Sequence, residues 1–525
     1  MLVFNSSKVE TFFTVKNLKE IGLKKMAKIT ALFAAVVFLF ASCVSTKVEG
    51  DQGISASEQE SAKKPVAEKK AKVRKKKFNQ EEFDKAFADH DYETCIAMLN
   101  GKKLGKDKIL DLLDTHMLMH LNAQYLDSAK GFMATQLEMQ QSASDTSGGK
   151  SFSAAIAGEN SAAYTGAVYE RLLAYSMRAV NALALGDMGN AKGVMDNYAG
   201  DYKDVIAPLV AQEKEFEAES EGALEKDEMS NALKSFKTVG ISLDLNSVNA
   251  GKPTKYTGKP YENSAFLSYL GALIYAANNA PDHAQDAARI LRETNPNVNV
   301  SDDIAVPAGK GRLNVVALSG TIGKRSQGAQ EFNMGMIPVL NTALRFKIVY
   351  PVFQAQDHTI SSVRVTLSDG TEKTAVLVED FDEAVRIDVA KKAYGAYSRS
   401  VFRNITKNAI VASTNIAALI AADTAMKKAE GNIMMQIATA AAYATAVTAS
   451  NVALAAVINA EKADIRQGSF FPHKASAAGF TVNPGKYSVK VEYLSSDGSV
   501  IETKNQDDIL VLAGKPTVVV SSCGK

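Results

Sequence analysis

The stretch YERLLAYSMRAVNALALGDMGNAKGVMDNY, residues 169–198, holds the pattern that decides the fold of the N-terminal half. Its apolar residues recur at helical spacing, a short polar turn follows around Gly186, and a second helical segment then begins. Ala191 opens that second segment with a small side chain, which lets two helices approach closely. The stretch therefore predicts a helical hairpin.

The same pattern recurs three more times, in residues 267–296, 83–99 and 110–137. Gly271 and Ala284 take the close-packing positions of the first of these units, and Cys95 takes the small position of the second. Such units resemble tetratricopeptide repeats. Stacked helix pairs share one core and leave a concave surface, which mostly binds proteins or peptides. We therefore predict a helical-hairpin, tetratricopeptide-like solenoid over residues 78–300.

After Pro296 the sequence changes to β-branched and alternating runs, which are typical of strands. The predicted strands cover residues 312–319, 343–353, 362–367, 373–379, 486–494, 499–502 and 516–521. Two connections, around Gly370 and Gly498, favour hairpin turns because glycine tolerates positive φ. We predict antiparallel, half-exposed strands in a small sandwich or partial barrel, within a β-rich domain over residues 301–525.

An alanine-rich, helical insert, residues 382–466, interrupts the predicted strands. Residues 431–460 hold no charge, and their length allows a membrane span. Ala and Thr dominate them, however, and Lys427 and Lys428 just before Gly431 favour a turn between two long helices. We expect a buried helical hairpin; a membrane-inserting hairpin and a pore-lining span are the alternatives. The predicted fold class is therefore α+β.

The N-terminus has the features of an export signal. Lysines, among them Lys28, precede the apolar run ALFAAVVFLF at residues 31–40, which is too short for the roughly 20 residues of a stable membrane span. The sequence FASC then leads to Cys43 and resembles the bacterial lipobox. This resemblance implies a signal peptide over residues 1–42, cleavage before Cys43 and a diacylglycerol group on its thiol. A buried core helix or an uncleaved anchor is the alternative.

Two further residues concern where the signal peptide begins and which membrane holds the protein. Met26 is a second candidate start beside Met1, and it gives a more compact signal. Val44 stands where, in the enterobacterial sorting rule, an Asp retains a lipoprotein in the inner membrane. By resemblance to that rule, we expect attachment to the outer membrane, facing the periplasm, rather than to the inner membrane. Two or three acyl chains make such an anchor stable.

Residues 43–77 comprise the expected lipidated cysteine and a tether. We predict that the tether is disordered, because it has almost no large apolar side chains. From Lys63 to Lys77 there are nine Lys and Arg residues against one acid, Glu68. This basic run is interpreted as a contact for anionic lipid or an acidic cell-wall polymer, or else as a solvated linker. Residues 78–525 have a net charge of −7, which argues against nucleic-acid binding.

Three cysteines occur, Cys43, Cys95 and Cys523, and their spacing supports neither a disulfide framework nor a zinc site. We expect Cys95 to be a small buried residue, with a single bridge to Cys523 as the alternative. His116 and His120 lie four positions apart on a predicted helix, but HMLMH lacks the Glu of a metalloprotease motif. We expect ordinary, partly buried histidines and no metal site.

Two further segments contain residue types found in phosphate-binding loops or in acid–base catalysis. The sequence GKG at residues 309–311 lacks the spacing of a phosphate-binding loop, so it predicts a close backbone turn. Glu379, Asp380 and Asp382 cluster in a predicted loop, where paired carboxylates can do acid–base work, but a solvated loop is favoured. We therefore predict no catalytic residues, no cofactor and no enzymatic activity.

The order of these parts resembles a family of bacterial lipoproteins with a tetratricopeptide-like N-terminal half. The resemblance rests on ALALGD at residues 182–187, AGKGRLNVVALSG at 308–320, IVYPVF at 348–353 and ADIRQGSFFPHKASAAGFTVNPGKYSVKV at 463–491. It implies no activity or catalytic residues. Because some members accompany activators of peptidoglycan synthases, it implies a role in the cell envelope.

We therefore expect a lipid-anchored scaffold or accessory factor of the bacterial envelope. Its expected partners are the membrane, through lipid on Cys43, and another envelope protein. The alternatives are a cell-wall-acting enzyme and a membrane-inserting secretion or pore component.

Overall fold

The computed structural model describes residues 78–146, 158, 160, 162–225, 227–238, 241, 243, 245–337, 342–429 and 431–525. The predicted signal peptide, the lipidated Cys43 and the basic tether lie outside the described residues. The described part mixes helix and sheet, in agreement with the predicted α+β class.

The helices among the described residues are α1 Gln80–Ala88, α2 Tyr92–Gly101, α3 Lys108–Leu121, α4 Tyr125–Thr146, α5 Val168–Ala184, α6 Met188–Asp201, α7 Ala207–Glu221, α8 Asp227–Thr238, α9 Leu245–Ala250, α10 Ala265–Ala277, α11 Pro281–Thr294, α12 Ser301–Ile304, α13 Phe381–Lys428 and α14 Ile433–Ala460. The strands are β1 Gly311–Ser319, β2 Lys324–Ile337, β3 Thr342–Gln354, β4 Ser362–Leu367, β5 Glu372–Thr374, β6 Val376–Asp380, β7 Lys474–Val482, β8 Gly485–Leu494, β9 Val500–Val511 and β10 Pro516–Cys523. A π-helical turn, Tyr202–Ile206, links α6 to α7.

The four helix pairs predicted from the sequence are present, and their turns share one geometry. Each turn has a residue with φ between 56° and 71°, namely His90, Ala123, Gly186 and Asn279. The N–H of that residue donates to the carbonyl three positions back, and the next N–H donates to the carbonyl five positions before it. This pairing is the Schellman motif, which satisfies the last carbonyls of a helix. Four separate segments of the chain thus end their first helix in the same way.

The small residues predicted at the crossing points are buried. Cys95, Ala191 and Ala284 are fully buried, as expected. Gly271 is also a close-packing position, because a Cβ there would lie 3.1 Å from the methyl carbon of Met195. The helix pairs therefore pack through the positions that the sequence indicated.

The strands form two four-stranded sheets, with orders β10-β1-β7-β6 and β5-β4-β8-β9, and the two-stranded ribbon β2-β3. The expectation of antiparallel strands is wrong at one pair, because β1 and β10 run parallel. Strand β1 is buried along its whole length, and such strands read as nearly continuous apolar runs rather than as alternation. The tight hairpin turns at Gly370 and Gly498 are confirmed, each with positive φ.

Three strand assignments differ from the sequence-based ones. The single strand predicted over residues 373–379 is divided between β5 and β6, which belong to different sheets. Strands β2 and β7 were not predicted, because the polar sequence KRSQGAQEFNMGMI of β2 lacks a strand signature and β7 is rich in Ala. Pairing with β3 and β1 places these two segments in sheets.

Strand β1 lies between two hydrophobic cores. Val316 and Leu318 pack into the core that the helices form, together with Phe266 of α10. Leu313 and Val315, on the opposite face, pack with the second four-stranded sheet. The predicted segments 78–300 and 301–525 therefore share one core.

Candidate functional site

A hairpin of two long helices, α13 and α14, extends from the β-rich half. Asp380 caps α13 by accepting the N–H of Asp382 at 3.0 Å, and Asn432 caps α14 by accepting the N–H of Met435 at 3.1 Å. Gly431, with φ of +92°, forms the turn between them. Lysines in the last turn of α13 complement the negative end of its helix dipole. The predicted turn between two long helices is thus confirmed.

The two helices differ in burial. The first half of α13 packs Tyr397, Phe402 and Ile405 into a second hydrophobic core beside β3. In α14, by contrast, only Ser450 and Leu454 are buried. The expectation of a buried hairpin is therefore wrong for α14, whose helical state comes from alanine-rich composition rather than from burial.

The exposed surface of α14 is uncharged and largely apolar. At its tip, Ile433 and Met434 are 73% and 78% exposed, and Ile437 and Val452 are also exposed farther along. Among the described residues, α14 is the one helix long and apolar enough to cross a membrane by length and composition. Isolated exposed apolar residues are ordinary, whereas several of them on one uncharged helix make α14 a candidate contact surface.

The hydroxyl groups of α14 add little polarity to that surface. Thr439, Thr445 and Thr448 each donate to the carbonyl four positions earlier, at 2.8, 2.8 and 2.9 Å. Because the hydroxyls bond to their own helix, the methyl groups remain as the outward part of these side chains. The helix therefore offers small, uncharged side chains along most of its length.

A buried ion-pair network fixes the base of the hairpin. Arg403 Nε of α13 donates to Glu461 Oε2 at 3.0 Å, and Lys407 Nζ lies 3.0 Å from Glu461 Oε1. Glu461 directly follows α14, and its side chain and that of Arg403 are each 1% exposed. The network joins the middle of α13 to the end of α14.

A second polar cluster lies at the beginning of α13, about 30 Å along the helix from Arg403. His358 Nε2 is 3.2 Å from Asp382 Oδ2, and His473 Nε2 is 3.7 Å from the same oxygen. The two imidazole rings stack with centroids 3.3 Å apart. Burial, and then the neighbouring His473, lower the pKa of His358, although the hydrogen bond to Asp382 opposes them.

The acidic residues expected in a solvated loop occupy different surroundings. Glu379 is buried at the end of β6 and accepts hydrogen bonds from Tyr261 Oη, Ser264 Oγ and the N–H of Phe266. Burial raises its pKa, against the effect of these donors. Asp382 is likewise buried, in the first turn of α13. The loop prediction is therefore wrong, and these acids instead connect β6 to its neighbours.

The histidine pair on α3 is buried and hydrogen-bonded, which agrees with the expectation. His116 Nδ1 pairs with Thr135 Oγ1 at 3.0 Å. His120 lies between Asn181 Oδ1 at 2.7 Å and Ser522 Oγ at 2.8 Å. Burial lowers the pKa of each histidine to about 4. Both rings therefore join helices through neutral hydrogen bonds.

The remaining candidate positions are structural. Cys95 and Cys523 are free and buried, so the alternative disulfide is absent between them. At residues 309–311, Gly309 has a φ of +74° and the N–H of Lys310 donates to Pro307, which is the close turn expected before β1. The sequence analysis did not select His358 or His473, because they carry no motif and lie far apart in the chain.

Comparison with known proteins finds no family model, no curated protein and no solved structure that matches this chain.

Proposed function

We propose that this protein is a lipid-anchored scaffold of the bacterial envelope that binds another envelope protein through the α13–α14 hairpin. The observation that carries the proposal is α14 itself, a helix of 28 residues with no charged side chain and only two buried residues. Exposed apolar surface of this extent costs free energy until a partner or a lipid phase covers it.

The energetics favour a protein partner over a membrane span. Seven Ile, Leu and Val residues of α14 contribute about −2 to −4 kcal/mol to insertion on the translocon scale. Because the hairpin is antiparallel, α13 would have to cross beside α14, and its last turn carries Lys427 and Lys428 at the tip. A tip that stayed inside the bilayer would hold both lysines in hydrocarbon, where one lysine at the centre costs about 2.5–3.5 kcal/mol. Docking on a protein leaves this charged tip in water.

The chemistry of the surface defines the partner. Helix α14 offers a strip about 42 Å long and about 10 Å wide, which is roughly half of the 800 Å² per partner of a standard interface. Side chains as small as Ala and Thr let another helix approach closely. The proposed partner is an α-helical segment of an envelope protein with an uncharged, small-residue face.

The anchoring part of the proposal rests on the sequence. The FASC sequence at Cys43 supports lipidation, and residues 44–77 reach roughly 30 Å as a flexible chain, which would hold the folded body near the outer membrane. Lysines between Lys63 and Lys77 would contact anionic lipid or cell-wall polymer. The four Schellman turns support the finer proposal that α1–α6, α10 and α11 form tetratricopeptide-like pairs, as in the lipoprotein family named above.

A photo-crosslinking experiment in intact cells tests the docking surface. A photoreactive residue at Ile437 is expected to give a discrete protein adduct, whereas the same residue at Val500, an exposed apolar position on β9, is expected to give none. Introducing Val452→Lys should abolish the Ile437 adduct, while Val500→Lys should leave it intact. Adducts with lipid alone would show that α14 contacts the membrane and not a protein. Equal adducts from Ile437 and Val500 would refute the docking surface.

The anchor is tested separately. Radiolabelled fatty acid is expected on the wild-type chain and not on Cys43→Ala, and the variant is expected in the aqueous phase of a detergent partition. Retention of Cys43→Ala in the detergent phase would show that the hairpin itself inserts. Absence of label from the wild-type chain would refute the lipid anchor.

A further inference from the structure

We propose that His358, Asp382 and His473 bind one divalent transition-metal ion at the N-terminal end of α13. The three side chains each offer one ligand atom, and these atoms all lie within 4.8 Å of one another. They come from three segments: the connection between β3 and β4, the first turn of α13, and the residue immediately before β7.

The spacing of the ligand atoms fits a metal ion of the size of Zn²⁺. Bonds of about 2.0–2.1 Å at tetrahedral angles place ligand atoms about 3.3 Å apart. The distances from Asp382 Oδ2 to His358 Nε2 and His473 Nε2 are 3.2 and 3.7 Å. An ion would therefore replace the hydrogen bond between His358 and Asp382 with little movement of the carboxylate.

The surrounding backbone orients the three ligands. Asp382 uses its other oxygen, Oδ1, to accept the N–H of Gly323 at 2.6 Å, which leaves Oδ2 directed towards the histidines. The N–H of His473 donates to Ser319 at 3.0 Å, and its carbonyl accepts the N–H of Phe381 at 2.8 Å. Contacts of this kind hold metal ligands in place, and their loss typically weakens binding 10–100-fold.

The ring arrangement indicates what binding would change. The imidazole planes differ by only 15° and the ring centroids lie 3.3 Å apart, so the lone pairs lie in two nearly parallel planes rather than in planes that meet at one ion. Binding would therefore tilt the rings relative to each other. Gly320 has a φ of +68°, and a Cβ there would lie 3.1 Å from His473 Cβ and 3.4 Å from His358 Nδ1. Glycine at this position thus gives both rings their space.

Ligand type and access define the class of ion. Two imidazoles and one carboxylate suit Zn²⁺ or Fe²⁺, whereas Ca²⁺ and Mg²⁺ prefer sites made of oxygen ligands. Three protein ligands leave a further coordination position, as in catalytic zinc sites. Asp380 Oδ1 lies 3.3 Å from His473 Nε2, and its side chain is 38% exposed. That carboxylate or a water molecule would complete the coordination, and the exposed edge is the entry path.

The test uses the full-length chain in detergent, stripped with a chelator and then titrated with Zn²⁺ by calorimetry. One equivalent is expected to bind. Co²⁺ in its place is expected to give the visible bands of a nitrogen- and oxygen-coordinated ion. His358→Ala and His473→Ala should each weaken Zn²⁺ binding at least tenfold, as loss of a ligand exceeds loss of an orienting contact. The matched control is His283→Ala, an exposed histidine on α11, which should bind as the wild type does.

Two results would overturn the proposal. The first is a wild-type chain that binds no equivalent of Zn²⁺ or Co²⁺ at tenfold molar excess. The second is a folded His358→Gln variant, checked by circular dichroism, that binds as tightly as the wild type. His358 is partly exposed, so this variant decides the matter if His473→Ala does not fold. The outcome is independent of the docking proposal, because neither readout involves a partner protein.

Discussion

Replacing Glu461 by Ala tests whether the buried ion pair fastens the hairpin. In the wild type its carboxylate contacts Arg403 at 3.0 Å and Lys407 at 3.0 Å. Arg403 is almost completely removed from water, with 1% of its side chain exposed. The variant replaces the carboxylate of Glu461 beside that guanidinium with an uncharged methyl group. Breaking a buried ion pair by removing one partner costs about 3–5 kcal/mol.

That loss is large beside the stability of a folded domain, which is typically about 5–15 kcal/mol. Urea unfolding followed by circular dichroism measures it, and we expect the midpoint to fall with the slope preserved. Glu461→Gln keeps the shape and one acceptor but removes the charge, so its loss should lie between that of the Ala variant and zero.

The matched control is an ion pair of the same chemistry in water. Arg289 and Glu293 on α11 lie 2.9 Å apart, with side chains 57% and 58% exposed. Exposed helical pairs of this spacing contribute about 0.3–0.5 kcal/mol, so Glu293→Ala should change the unfolding free energy by less than 1 kcal/mol. If Glu461→Ala costs no more than Glu293→Ala, the buried network does not fasten the hairpin and the reasoning fails.

Three further predictions concern single sites. Ala123→Gly should stabilise the chain by about 0.5–1 kcal/mol in thermal unfolding, because Ala123 has a φ of 56° and glycine adopts this left-handed conformation without strain. The control, Lys130→Gly within α4, should instead cost about 1 kcal/mol. Burial raises the pKa of Asp114 to about 7, so the folded state favours its protonated form. Its contribution to the free energy of unfolding is therefore fully present below pH 3.8 and is lost as the pH rises through 7. The loss between pH 5 and 8 is at most about 3 kcal/mol. Asp114→Asn should flatten this pH dependence, and an unchanged pH profile of stability would contradict the assignment. Burial also raises the pKa of both Cys95 and Cys523 to about 11, so neither thiol should react with a disulfide reagent until the chain unfolds.

The helix pairs were predictable because their signals are local. A residue such as Gly186 or Asn279 ends one helix, and a small residue such as Ala284 begins the packing of the next. These features depend on neighbours within one or two turns, so a single sequence contains them. The tight turns at Gly370 and Gly498 follow from the same kind of local chemistry.

Sheet membership was less predictable because it depends on distant partners. Strand β2 is polar, and what makes it a strand is its pairing with β3. The parallel partner of β1 comes from the end of the chain, with Arg312 opposite Pro516, and no local pattern distinguishes that pairing from an antiparallel one. Burial on both faces of β1 was visible in RLNVVALS only as an apolar run, which fits either orientation.

The polar sites at the beginning of α13 could not be predicted from the sequence for the same reason. His358 and His473 meet Asp382 only because two segments of the chain return to the first turn of α13. The sequence predicted Glu379 as one of several acids in a loop, but in the folded chain it accepts hydrogen bonds from the segment around Ser264. In both cases the sequence shows the residue types, but not the distances between their side chains in the folded chain, and these distances decide what the residues can bind.

The difference between the predicted and observed burial of α14 bears on how the hairpin works. Residues such as Phe402 fasten α13 to the β2–β3 ribbon, and the Arg403–Glu461 pair fastens the return of the chain. Stability therefore resides in α13 and the base, while α14 remains helical through its alanine content and its contact with α13. A substitution such as Ile437→Lys on the exposed face consequently removes little packing from the folded chain. If α14 serves as a docking helix, such a change should weaken partner binding while leaving the unfolding free energy within about 0.5 kcal/mol of the wild type. A comparable loss of both would mean that the exposed face supports the fold itself.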